Sequence, residues 1–296
     1  MKKVNHLYII GNGFDLYHGL STSYRHFREY VKEHDKELFG LIEKYYLHKI
    51  NSDFWNDFEE NLGNFDDDLL REYGNNFLED YGCENWSDAF HHDYQYELSR
   101  IVDGITLGLR KSFYNWLSQI SLNGLEKKVI PLEKDAYYLT FNYTSTLESI
   151  YKLPKQNILH IHGTYIGNDN DEIIYGHGGH LYTIDKNIDD PRIEEGEGII
   201  KDYFEKTAKP IKHIIHRYRK FFYKMIVGVT NVTIVGQSMN KIDYPYFNRI
   251  CNSIKGKIEW TYYYHSLDDI KRCIWSLRSR LNRKGDKIHF LPYPYK

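Results

Sequence analysis

Short apolar runs, separated by longer stretches of helical period, organise this 296-residue chain. Residues 7–10 form an unbroken apolar run, too short for a helix, which reads as a buried strand covered on both faces. Aromatic and β-branched runs predict further strands at 136–141, 157–161, 173–175, 232–235, 257–264 and 287–291. Between the first two runs the period changes. Phe54, Trp55, Phe58, Leu62 and Phe65 recur at helical spacing, and Leu98, Ile101, Ile105, Leu109 and Phe113 form a second stripe. Helices are accordingly expected over 24–46, 53–80 and 90–122, and later over 199–225, 244–254 and 267–281. The polar stretch 185–198 carries Pro191 and several acids, and reads as a loop able to serve as a lid. The pattern predicts an α/β fold: one domain over 1–296, with a mainly parallel sheet flanked by helices and an α-helical insertion at 51–124.

Composition narrows the function classes. A hydrophobic fraction of 41% supports a core, and a formal charge of −2 gives no general pull towards nucleic acid, which is not expected as a partner. The basic segment 212–224, with its interleaved aromatic residues, could suit nucleic acid, but an ordinary amphipathic helix with a cationic outer face is the favoured reading. Cys83, Cys251 and Cys273 are far apart and odd in number, which supports neither a disulfide framework nor a cysteine metal site. The first apolar run ends at Gly11, too soon for a secretory segment, and no later run approaches membrane-spanning length. A cytoplasmic protein without membrane partners is expected. The acidic run Asp66-Asp67-Asp68 reads as a solvated helix face.

Candidate chemistry lies where the strands end. Four of them run into polar or glycine-bearing turns: Gly11-Asn12-Gly13, Asn142-Tyr143-Thr144, His162-Gly163 and Gly236-Gln237-Ser238. Open α/β sheets bind ligands outside the carboxyl ends of their strands, so four such turns in one chain point to a shared site. A glycine turn opening a helix suits phosphate, although Gly-Asn-Gly-Phe-Asp lacks the third glycine of the dinucleotide fingerprint. Ser145 and Glu148 have the spacing of a capping box. His162 is expected to face the site and His160 to point away from it.

Several segments, taken in order, resemble the bacteriophage abortive infection AbiH family. They are Ile9-Ile10-Gly11-Asn12-Gly13-Phe14-Asp15-Leu16, Thr22-Ser23-Tyr24, Trp55 with Phe58-Glu59, Phe141-Asn142-Tyr143-Thr144, Leu147-Glu148, Ile161-His162-Gly163 and Gly176-His177. That resemblance implies a role in bacterial defence against phage. The chain is more distantly similar to sirtuin-like NAD-consuming folds, which implies a Rossmann-like core. In those folds a glycine turn holds the pyrophosphate, an Asn and a His-Gly lie at the nicotinamide ribose, and a late glycine–serine turn lines the adenosine end. These roles fall on Gly11 and Gly13, Asn142, His162, and Gly236 with Ser238. Thr144 stands where that pattern has an acid, and the sirtuin zinc cysteines are missing, so deacetylation is not expected.

The resemblances imply NAD, or a related nucleotide, as ligand or substrate, with no metal. The expected cofactor contacts are Gly11, Asn12, Gly13, Phe14, Thr144, Gly236, Ser238 and Asp243; the expected catalytic groups are Asn142, His162 and Asp15. The implied reaction is cleavage of the nicotinamide glycosidic bond, whose cation-like transition state responds to positioning and electrostatics. Asn142 could hold a ribose hydroxyl or the attacking water, and His162, with an ordinary pKa near 6.5, could polarise either. Asp15 could orient the cofactor amide or activate water. Two alternatives stay open: a nucleotide sensor that signals without turnover, and a nuclease in which Asp66–Asp68, His177 and His180 hold metal. Partner chains could be a second copy or another protein of a defence system.

Overall fold

The protein is described by a computed structural model over residues 4–46, 54–55, 57–83, 90–167, 172–179, 182–184 and 188–294. Six strands form one all-parallel sheet: β1 (His6–Ile10), β2 (Tyr137–Thr140), β3 (Ile158–His160), β4 (Asn231–Val235), β5 (Glu259–Tyr264) and β6 (Lys287–Pro292). Their order is β3-β2-β1-β4-β5-β6, that of a doubly wound nucleotide-binding sheet. The chain turns from one half of the sheet to the other between β1 and β4, which pair in register from His6 with Asn231 to Ile10 with Val235.

Alternation along the strands builds two cores. Leu7, Ile9, Leu139, Val232, Ile234 and Trp260 face one side, where they meet Phe222, Phe247 and Ile250. Tyr8, Ile10, Tyr138, Val235 and Tyr263 face the other, with Phe14, Tyr151 and Tyr293. Both faces are covered, as the unbroken apolar run in β1 requires.

The chain divides into two compact units. The sheet unit comprises 1–23, 117–174 and 210–296; the helical unit comprises 24–116 and 175–209. The hydrophobic pattern predicts a helical insertion at 51–124, a stretch that overlaps the helical unit without coinciding with it. Periodicity reveals an amphipathic face but not the unit that covers it. Within the helical unit, Phe27 packs against Trp55, Phe58, Phe113 and Trp116. The stretch 24–46 is two helices, Tyr24–His34 and Lys36–Tyr46, because Asp35 interrupts the first and caps the second, its carboxylate accepting from the Leu38 N–H at 3.0 Å.

Several local expectations are corrected. From Pro191 the expected lid is an ordered helix, Pro191–Thr207. Asp190 caps it and Pro191 sits at its first position, where its missing N–H costs nothing; residues 185–187 lie outside the described residues. The run at 173–175 is no strand. The Ile174 N–H instead bonds the His162 carbonyl, and an isolated bridge joins His177 to Ala208. Ser145 does not form the expected capping box, because the Glu148 carboxylate turns to His160. Among the described residues, no helix is long and apolar enough to cross a membrane.

Candidate functional site

At the end of β1 the backbone turns directly into the short helix Asn12–Tyr17, and at the end of β4 it turns at Gly236. The two turns pack backbone to backbone. The Gly11 N–H donates to the Val235 carbonyl and the Gly13 N–H to the Gly236 carbonyl, each at 2.9 Å. A Cβ on Gly11 would lie 2.6 Å from the Gln237 Cα. One on Gly236, whose φ is +70°, would lie 2.2 Å from the Phe14 nitrogen. The glycines are therefore required by the contact between the two turns. This corrects the phosphate reading of the first turn: its missing Cβ atoms face protein, and the Gly13 and Phe14 N–H groups donate to the carbonyls of Gly236 and Gly11.

The other first-turn residues are equally committed. Asn12 donates its amide to the Thr22 carbonyl at 2.9 Å. Phe14 is fully buried against His18 and Tyr151, so its side chain belongs to the second core and not to a cofactor surface. Asp15, one residue on, is a buried acid.

Asp15 is the centre of the arrangement. Its carboxylate accepts from the Thr144 hydroxyl at 2.6 Å and from the Thr146 hydroxyl at 2.9 Å, and the Asn142 side chain adds a third hydrogen bond. Burial pushes its pKa up to about 6 against these three donors and the nearby His160, all of which favour the charged form. A carboxyl that titrates there can both take and return a proton near neutral pH. The Asn142 Oδ1 is buried and has no hydrogen-bond partner among the described residues. A buried acceptor without a donor is costly.

The histidines sit differently from that expectation. β3 ends at His160, and the turn beyond it breaks the pattern. The His160 imidazole lies 3.2 Å from the Asn142 backbone carbonyl oxygen and 2.9 Å from Glu148, on the side of the site where Asp15 lies. His162 is instead buried edge-on against Phe141, with its Nε2 3.3 Å from the Tyr246 hydroxyl. His160 is thus a residue that the sequence reading turned away from the site and the structure places beside it.

The β4 turn contributes Gln237, another residue the sequence reading left without a role. Its amide donates to Asp243 at 2.9 Å, and its carbonyl oxygen accepts from the Met239 N–H at 3.1 Å. Asp243 is therefore buried as an anchor for this turn, whereas Ser238 is exposed. Thr144 also lines a pocket of about 240 Å³ with Tyr143, Ser145, Tyr165 and Ile166, and with Leu117, Ile120 and Leu122. An aromatic and aliphatic lining around a hydroxyl-bearing edge suits a flat, partly polar ring.

Of the residues of the nuclease alternative, Asp66, Asp67, Asp68 and His177 lie in the helical unit, where they make local contacts. Asp66 caps the helix Asp67–Gly74 by accepting from the Leu69 N–H, and Asp67 and Asp68 pair with Arg71. The His177 ring bonds the Phe204 carbonyl and the Gly179 N–H; His180 lies outside the described residues. No group of three or more metal-ligating side chains occurs among the described residues.

Against known proteins, residues 7–264 match the model of the family described as Bacteriophage abortive infection AbiH. No curated protein matches the chain.

Proposed function

The chain belongs to the bacteriophage abortive infection AbiH family, and on that premise we propose that it is an anti-phage effector that binds NAD and hydrolyses it to nicotinamide and ADP-ribose. The observation that carries this reading is the Asp15–Asn142 pair, a buried carboxyl with a pKa of about 6 bonded to an amide whose Oδ1 has no partner among the described residues. The doubly wound strand order supports it, since such sheets bind nucleotides at the edge where these two residues lie.

In this proposal the Asn142 Oδ1 accepts a ribose hydroxyl, which satisfies the orphaned acceptor and fixes the sugar. Asp15 takes a proton from water as the water oxygen bonds to C1′ of the ribose. The C1′–N bond breaks, and its electron pair neutralises the pyridinium ring as nicotinamide leaves. We assign the base to Asp15 because its carboxyl titrates near neutrality and its hydrogen bonds orient it. The pocket beside Thr144 takes the nicotinamide ring.

The test is incubation of the purified chain with NAD, followed by chromatography for nicotinamide and ADP-ribose. Asp15→Asn lowers release by about 10²- to 10⁴-fold, the usual scale for loss of a general base. Asn142→Ala weakens NAD binding as well, and His162→Gln stays within about tenfold of wild type. Binding of NAD with no nicotinamide released overturns hydrolysis and leaves a nucleotide sensor. Full release by Asp15→Asn overturns the mechanism.

A further inference from the structure

The helical segment that precedes β4 has one face in the core and one outside it. It runs as Ile211–Arg217, continues through a wide turn, Phe221–Met225, and ends at Ile226–Gly228. Ile211, Ile214, Phe221, Phe222 and Ile226 are buried in the first core. On the outer face, Lys212, His216, Lys220 and Lys224 recur at every fourth position, with Arg219 and Tyr223 beside them. All six are exposed, and together with Ile215 they line a depression of about 540 Å³.

Charge here is one-sided. Residues 212–224 include no acid, and Glu172, which reaches this helix, is paired with Arg217 outside the depression. Lys212, Arg219, Lys220 and Lys224 make no ion pair among the described residues. Lys220 and Lys224, four residues apart, and Arg219 beside them repel one another, so this face carries a cost that a bound polyanion would relieve. Four residues of helix rise about 6 Å, comparable to the distance between successive phosphates of an extended strand. Tyr223 is 55% exposed. Its ring is held by Arg249, whose guanidinium carbon lies 4.2 Å from the ring centroid and whose Nη1 donates to the hydroxyl at 3.0 Å. A fixed aromatic ring beside a row of cations is how proteins hold single strands, with bases stacked and phosphates neutralised.

We propose that this face binds single-stranded nucleic acid, with phosphates on Lys212, Arg219, Lys220 and Lys224 and a base on Tyr223. A helix that lies on a membrane presents its apolar face to lipid. Here that face is in the core, so the geometry favours nucleic acid over a bilayer. The proposal stands independently of NAD chemistry.

Fluorescence anisotropy of the full chain with labelled oligo(dT) and oligo(U) across a salt titration is the test, with sedimentation on phosphatidylserine-containing vesicles run in parallel. Four phosphate contacts give a slope of log K against log salt of about −2.8. Lys212→Glu with Lys220→Glu reduces that slope by about 1.4 and the affinity at least about tenfold. Tyr223→Ala weakens binding about tenfold and leaves the slope unchanged. Binding of one oligonucleotide alone supports the proposal. Should the reversed-charge chain fail to fold by circular dichroism, Lys212→Gln with Lys220→Gln reads the same slope. No binding of either oligonucleotide, binding to vesicles only, or unchanged affinity in the charge variants overturns it.

Discussion

Thr144 donates its hydroxyl hydrogen to the buried carboxylate of Asp15 at 2.6 Å, joining the end of β2 to the first turn across 129 residues of sequence. Through this bond and its neighbour from Thr146, an acid with almost no solvent contact retains access to its charged form.

Removing a donor moves the acid further from its ordinary value. Thr144→Val leaves burial in place and removes one of the three hydrogen bonds that favour the carboxylate, so the Asp15 titration midpoint rises above about 6. Carbon-13 NMR of the Asp15 carboxyl, followed through a pH titration, reads this directly. A midpoint that stays in place or falls removes Thr144 as the group that holds the charge.

The same acid makes stability depend on pH in a defined direction. Asp15 binds its proton more tightly folded than unfolded, so its contribution is fully present below about pH 4 and is lost as pH rises through about 6. A shift of about two units corresponds to about 3 kcal/mol. Asp15→Asn carries no such term. Urea unfolding at pH 4 and pH 7 therefore finds the variant gaining on wild type by about 3 kcal/mol at the higher pH. A gap that does not change with pH refutes the shift.

Gly236→Ala tests the contact between the two strand-end turns. The added Cβ would lie 2.2 Å from the Phe14 backbone nitrogen at a φ of +70°, so clash and left-handed strain add together. A loss of about 2–4 kcal/mol follows, measurable by urea unfolding. Gly19→Ala shares the strain, at a φ of +85°, but meets nothing within 4 Å and costs less. Equal losses at the two positions exclude the clash.

In the helical unit, the Lys209 ammonium is 1% exposed and lies 2.7 Å from the Glu59 carboxylate. Lys209→Met leaves Glu59 without its partner and costs about 3 kcal/mol. Lys209→Met with Glu59→Leu recovers much of that loss, because breaking a buried pair costs more than replacing it with apolar groups. Thermal unfolding of the two variants distinguishes the outcomes. A double variant no more stable than the single one assigns Lys209 a packing role.

The sequence by itself determined the six strands of the sheet and the polar residues that follow them, although it also offered 173–175, which is no strand. Leu7–Ile10 and Val232–Val235 are apolar runs too short for helices, and alternation within them distributes side chains between two cores by local geometry alone. Polar residues after those runs then mark the strand ends. Tertiary structure decided what these residues touch. Gly11 and Gly236 are glycines because two turns more than 220 positions apart meet backbone to backbone, a relation no local period encodes. Asp15 acquires its unusual carboxyl only when the fold buries it and brings Thr144 and Thr146 to it. His160 and His162, two positions apart, share a face in an extended strand, so alternation could not separate them; they differ because β3 ends at His160 and the turn beyond it carries His162 against Phe141 and Tyr246. Periodicity is set by bonds between neighbours in the chain, whereas burial and hydrogen-bond partners are set by neighbours in space.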